Sequence, residues 1–295
     1  MKLTFRGVRG SIAVPGPNTL RYGGNTTCLE IRGDNNELII LDAGTGIYQL
    51  ALTLFGELPI EAHLFLTHTH WDHIQGLPFF IPTFIPGNTI HIYGAFDPVG
   101  QKNIRQILAR QFEYCYFPVR EAELKATMRF TTLKERQTVQ AGGVTISNIL
   151  MNHPVLNFGY RIECNGKSIF FTGDHEQLYN IYAPEEDGWS EYQQYVNEKN
   201  KAITDFMHGV DLLVADTSYT IQDYPQKKGW GHSTFDANID MARIAQVKSL
   251  YFTHHEPVRS DNDLERVYQE ALERKKVAIH GPPCHLAREG LTIEL

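Results

Sequence analysis

Cysteine is scarce: Cys28, Cys115, Cys164 and Cys284 stand far apart in 295 residues, with no C-x-x-C pair among them. That spacing supports neither a zinc ribbon nor a disulfide framework, so the four read as reduced, mostly buried thiols. Long apolar runs are missing too. No stretch approaches the roughly 18 apolar residues of a membrane span, and Met1-Lys2-Leu3-Thr4-Phe5-Arg6-Gly7 carries no extended apolar segment. The expectation is a cytoplasmic protein without a membrane partner. Basic charge is also in deficit: 27 Lys and Arg against 34 Asp and Glu leave a net charge of −7. A surface adapted to a long nucleic acid is not expected from that balance. A small anionic substrate is compatible with it, because local cations set the field of a pocket. Internal repeats, low-complexity tracts and charged tails are absent as well.

The material present suits one globular α/β domain over residues 1–295, since 42% hydrophobic residues can build a large core. Its densest chemical feature is His68-Thr69-His70-Trp71-Asp72-His73, where four side chains suited to a divalent metal fall within six residues. Any single histidine there reads by default as a solvated loop residue. The whole set does not, because it follows the buried-strand pattern His63-Leu64-Phe65-Leu66-Thr67, which places it at a rigid strand end.

The arrangement recurs. Ser168–Thr172 runs into Gly173-Asp174-His175, Asp211–Ala215 into Asp216, and Ser249–Thr253 into His254-His255. Functional groups in an α/β sheet gather beyond the carboxyl ends of the strands, so these four runs imply one shared site. His153, after Val144–Met151 and before Pro154, is a further candidate, with an ordinary turn as the alternative.

In order and spacing, His68-x-His70-x-Asp72-His73, the isolated His153, Thr172-Gly173-Asp174 and the late His254 resemble the metallo-β-lactamase superfamily over about Leu38 to His255, with Leu38–Gly46 similar to the strand and glycine turn before its metal loop. The resemblance implies a four-layer αββα sandwich, here with insertions near 97–130 and 180–210. It implies two divalent metal ions, one held by His68, His70 and His153, the other by Asp72, His73 and His254, with Asp174 bridging. Zinc suits the nitrogen-rich set first, and manganese, iron or cobalt would also be accepted. Two such ions about 3.5–4 Å apart share and acidify a water. Asp42 and the backbone near Gly44 are candidates for orienting a ligating imidazole, with a turn aspartate capping its own backbone as the alternative. His175 and His255 are read as pointing away.

Gly229-Trp230-Gly231-His232-Ser233-Thr234 narrows the reaction. A G-H-S-T element before the last histidine resembles the ribonuclease Z and cyclic-nucleotide phosphodiesterase branch. That resemblance gives His232, oriented by Asp216, the role of protonating the departing oxygen, with Asp72 orienting a hydroxide shared by the metals. The plain alternative for His232 is a cap on the helix starting near Thr234. Ribonuclease Z-like enzymes commonly carry a long basic arm between the residues matching His153 and Asp174, which here stand only 21 positions apart. The opening Phe5–Ser11, Tyr22–Thr26, His70–Phe80 and Gly229–Ser233 look like bacterial or phage enzymes that cleave small cyclic nucleotides. The expected activity is therefore a dinuclear metal-dependent phosphodiesterase acting on a small cyclic nucleotide. A thioester or lactam-like hydrolase, or an RNA-processing ribonuclease Z-like nuclease, are the alternatives. A homodimer is implied by resemblance alone.

Periodicity predicts strands near 2–6, 27–32 and 37–41, and helices over Ile47–Phe55, Asp97–Phe112 with Asp97 as cap, Trp189–His208 bordering the site, Thr234–Val247 and Asp261–Lys275. Ile239, Ala242 and Ile244 should face the sheet. The aromatic Phe112–Arg120 segment reads as a loop beside the pocket or as plain core. Gly7–Ser11 and Tyr22–Thr27 read as tight turns near the site, with Arg9 and Asn25 as candidate substrate contacts.

Overall fold

The computed structural model describes all 295 residues. The first sheet holds β1 (Lys2–Gly7), β2 (Cys28–Arg32), β3 (Leu38–Leu41), β4 (Glu61–Phe65), β5 (Thr89–Gly94) and β6 (Thr127–Thr132). The second holds β7 (Thr138–Ala141), β8 (Val144–Met151), β9 (Asn157–Cys164), β10 (Lys167–Phe171), β11 (Leu212–Asp216), β12 (Leu250–Thr253) and β13 (Cys284–Leu286); β14 (Thr292–Glu294) returns to the first. The orders are β14-β1-β2-β3-β4-β5-β6 and β13-β12-β11-β10-β9-β8-β7.

In each sheet the central strands run parallel, β3 to β6 in one and β10 to β13 in the other. Strands covered on both faces need continuous apolar runs. Leu38-Ile39-Ile40-Leu41 and Leu212-Leu213-Val214-Ala215 supply them and are buried throughout. Parallel strands within a sheet also end together, so β10, β11 and β12 deliver whatever follows them to one edge, and bonds from the second sheet to Leu66 and Thr67 bring the end of β4 there too.

Three apolar clusters define the layers. Phe5, Phe65, Tyr160 and Phe171 lie between the sheets. Ile239, Phe252 and Leu264 join helices to the second sheet, and Ile47, Leu50 and Leu64 do so for the first. This is the αββα sandwich. No helix is long and apolar enough to cross a membrane.

Helices form at Gly46–Thr53, Trp189–Phe206, Phe235–Ile244 and Asp261–Arg274, close to their sequence-predicted spans. The Asp97–Phe112 helix does not form as expected. Asp97 accepts from the backbone N–H groups of Val99 and Gly100, closing a turn around Pro98. The helix is only Ile104–Leu108, capped by Asn103 in a box with Gln106. Ile244 is another correction: Ile239 and Ala242 are fully buried, whereas Ile244 is 66% exposed at the last helical position. Phe112 belongs to the core behind the first sheet, and Tyr114 and Tyr116 are exposed.

The sheets are joined just below the loop that follows β4. The Phe158 N–H donates to the Thr67 carbonyl at 2.8 Å, and the buried Tyr160 hydroxyl donates to the Leu66 carbonyl at 2.7 Å. Tyr160→Phe leaves that carbonyl without its partner and should lower stability by about 1–2 kcal/mol. A urea titration should show an earlier midpoint at unchanged slope; an unchanged midpoint would mean that this bond does not stabilise the joint between the sheets.

Candidate metal centre

Every donor proposed from the sequence reaches the shared strand edge. His68, His70, His153 and Asp174 converge as one group, and Asp72, His73, Asp174 and His254 as a second, with Asp174 in both. Asp216, His232, His254 and Asp174 form a third, overlapping group.

Asp174 Oδ2 lies 3.5 Å from His68 Nε2 and 3.8 Å from His153 Nε2, while Oδ1 lies 3.2 Å from both His73 Nε2 and His254 Nε2. His153 Nε2 is 3.1 Å from His70 Nδ1, and Asp72 Oδ2 is 3.2 Å from His254 Nε2. Two donors about 2.0–2.1 Å from one tetrahedral ion stand about 3.4 Å apart, so these separations suit shared ions. The buried His68 Nε2, His73 Nε2 and Asp174 Oδ1 make no hydrogen bond within the protein. Orphaned polar atoms of this kind are costly unless a ligand satisfies them. The donor sets fit two divalent cations.

Charge supports the fit. Asp42, Asp72, Asp174 and Asp216 are all buried, and their ion-pair partners are histidines rather than lysine or arginine. Burial resists ionisation of Asp174, but the surrounding His254 and His73 outweigh it and hold the carboxyl well below its ordinary range. Burial, reinforced by His73, keeps His68 neutral.

The remote imidazole nitrogens are fixed by the chain. His73 Nδ1 bonds Asp42 Oδ2 at 2.8 Å, and Asp42 accepts from the Thr67 N–H and hydroxyl. His153 Nδ1 donates to the Gly231 carbonyl at 2.9 Å, and His254 Nδ1 bonds the Ser218 hydroxyl at 3.0 Å. Such bonds select the tautomer and aim the other nitrogen. The backbone near Gly44 does something different: a Cβ there would meet the Asp72 carbonyl at 2.4 Å, so this glycine lets two loops touch rather than orienting an imidazole. Gly10 likewise lies flat against the His254 ring, where a Cβ would meet it at 2.2 Å. Asp42 and His254 hold φ of 62° and 57°, a left-handed backbone that costs energy in residues other than glycine.

His232 Nδ1 bonds Asp216 Oδ2 at 2.9 Å and stands 3.8 Å from Asp174 Oδ2. Burial pushes the His232 imidazole down, but Asp216 and Asp174 outweigh it and raise its pKa to about 9. Thr234, not His232, caps the following helix, accepting from the Ala237 N–H. His255 donates to the Ala287 carbonyl, and His175 Nδ1 accepts from the Asn152 N–H, so both face away from the donor sets.

Arg9 and Asn25 take the tight-turn reading of their segments and not the alternative of a substrate contact. Arg9 is fully buried, donating to the carbonyls of Gly23 and Arg259 and pairing with Asp261, while Asn25 is held by Glu289. Both fix the N-terminal turns structurally. Through them the Ser11 N–H comes to donate to Asp72 Oδ2 at 2.7 Å.

Residues 38–255 match the family model described as the beta-lactamase superfamily domain. The chain belongs to the metallo-β-lactamase superfamily. It is 22% identical to a ribonuclease Z of Haloarcula marismortui over 283 residues, 86% of each chain. Among solved structures it is similar to YhfI, a metallo-β-lactamase fold protein of Bacillus subtilis, with TM-score 0.68, 18% identity and coverage of 100% and 98%. Yeast PDE1 gives TM-score 0.65 at 17% identity, covering 100% and 99%. Membership together with the donor sets makes the protein a metal-dependent hydrolase.

Asp42→Asn preserves shape but weakens the acceptor that aims His73. Its affinity for zinc should fall about 10–100-fold with the fold intact, read by competition against a chromophoric chelator. Unchanged affinity would mean that Asp42 merely shapes its turn.

Proposed function

We propose that this hydrolase cleaves the phosphodiester of a small, cyclic nucleotide. The observation that carries the reading is the His232–Asp216 pair, with one imidazole nitrogen tied to a buried carboxylate and the ring set against the donor cluster. Hydrolysis of a phosphodiester must protonate a departing alkoxide, which a thioester, whose thiolate departs without a proton, demands less. The relatives named ribonuclease Z agree on the bond type, since a nuclease breaks phosphodiesters.

The proposed ligands are His68, His70 and His153 for one ion and Asp72, His73 and His254 for the other, with Asp174 between. Divalent ions held there would supply a water activated as a nucleophile at neutral pH and would neutralise charge developing on the phosphoryl oxygens. Asp72, pinned by the Ser11 N–H, orients the attacking water. His232, with Nδ1 tied to Asp216, delivers its proton to the leaving oxygen, and Asp216 stabilises the ring in the orientation required.

The adjoining cavity supports a small substrate. It holds about 520 Å³ beside His70 and His153, and its wall is largely apolar, with Phe96, Val99, Ile107, Leu150 and Leu156. No lysine or arginine lines it. That volume and lining suit one uncharged ring system better than a run of phosphates. The Phe112–Arg120 segment, a candidate wall in the sequence, is not part of it; Ala95–Val99 takes that place.

Zinc- or manganese-loaded protein should hydrolyse cyclic mononucleotides. His232→Ala should lower kcat about 10²–10⁴-fold while retaining both ions. Turnover of thioesters alone would overturn the reading, and processing of a transfer RNA precursor in preference to mononucleotides would transfer it to the ribonuclease Z activity.

A further inference from the structure

The loop that presents His232 is held by a single carboxylate from another part of the chain. Glu176 is 2% exposed and follows Asp174 by two residues. Its Oε1 accepts from the Tyr224 hydroxyl at 2.6 Å and the Gly229 N–H at 2.9 Å. Its Oε2 accepts from the Gly229 N–H at 3.0 Å and the Gly231 N–H at 2.9 Å. These backbone donors flank Trp230, and both glycines are left-handed, with φ of 88° and 87°. Only glycine adopts that backbone at little cost, and here it turns both N–H groups inward to make an anion-binding concavity. The anion is the protein's own.

Glu176 is itself anchored. Its N–H donates to the Asn152 carbonyl at 3.0 Å, and the Asn152 side chain returns a bond to the Glu176 carbonyl at 2.9 Å. The intervening His175 N–H donates to Asp216 Oδ2 at 3.0 Å, the same oxygen that holds His232. The short turn after β10 therefore supplies Asp174, steadies Asp216 and clamps the His232 loop. The lysine and arginine ion pairs of the protein do not include Glu176, so its acceptor oxygens are committed to this loop.

We infer that Glu176, with Tyr224, is a positioning residue that fixes the Gly229–Gly231 loop so that His232 protonates the leaving oxygen. The inference rests on the proton-donor role proposed for His232. Glu176→Gln keeps the shape but turns an NH2 group toward an N–H donor, whichever oxygen it replaces, and opens the clamp. Tyr224→Phe removes one donor and loosens it less.

The test compares two diesters at saturating zinc: a cyclic mononucleotide, whose alkoxide needs a proton to depart, and bis(p-nitrophenyl) phosphate, whose phenolate does not. Glu176→Gln should lose at least about tenfold more kcat on the cyclic nucleotide than on the nitrophenyl diester, because general acid catalysis serves only the poor leaving group. Tyr224→Phe should lose selectively in the same sense and by less. His232→Ala measured alongside sets the limit. Equal losses on both substrates in Glu176→Gln and Tyr224→Phe, with selective loss in His232→Ala, would overturn the clamp while leaving the proton donor standing. No selectivity in His232→Ala would overturn the proton donor and the clamp together. Should Glu176→Gln fail to fold, Tyr224→Phe alone decides on the same criterion.

Discussion

Asp174 is a carboxylate buried between two sets of imidazoles, with one oxygen that no protein donor satisfies. Burying it costs free energy that nearby positive charge must offset. Around it stand three further buried aspartates and no lysine or arginine partner. Histidines supply part of the compensation, but their nitrogens toward the cluster are themselves orphaned at His68 and His73. Two divalent cations would resolve the whole set at once, and the other features of this edge fit the need to hold donors around them.

Holding is done mostly by hydrogen bonds reaching out from the core. Asp42 aims His73, Gly231 aims His153 and Ser218 aims His254, so the geometry of these donors is fixed by three separate chain segments. Left-handed backbone at Asp42 and His254 is kept in place by that network and by the two sheets, which are joined directly below the loop. Glycines at 10 and 44 let chain segments approach where any side chain would collide. A rigid edge of this kind suits chemistry that depends on placing a nucleophile, a phosphorus atom and a proton source in line.

Much of this was legible in the sequence because its signals are local. Four apolar runs each ending in His or Asp announce buried strands, and parallel strands bring their ends together whatever the connections between them. The donors fell into converging groups for that reason. What stayed hidden depends on distant partners. Asp97 satisfies a helix-cap pattern yet closes a turn instead, because Pro98 and Gly100 favour it. Arg9 sits in a glycine-rich turn that resembles an anion cradle, but its guanidinium is consumed by carbonyls and by Asp261, some 250 residues away. Glu176 follows a conspicuous donor, yet nothing near it reveals that its partners are Tyr224, Gly229 and Gly231. The Gly-Trp-Gly spelling was the available clue to a tight, inward-turned loop.

Whether Asp174 joins two metal positions is tested directly by anomalous diffraction from crystals of the cobalt-loaded protein. Two peaks are expected about 3.5–4 Å apart, one on the side of His68, His70 and His153 and the other on the side of Asp72, His73 and His254, with Asp174 between them. A single peak at full cobalt occupancy, or a pair that does not flank Asp174, would contradict it.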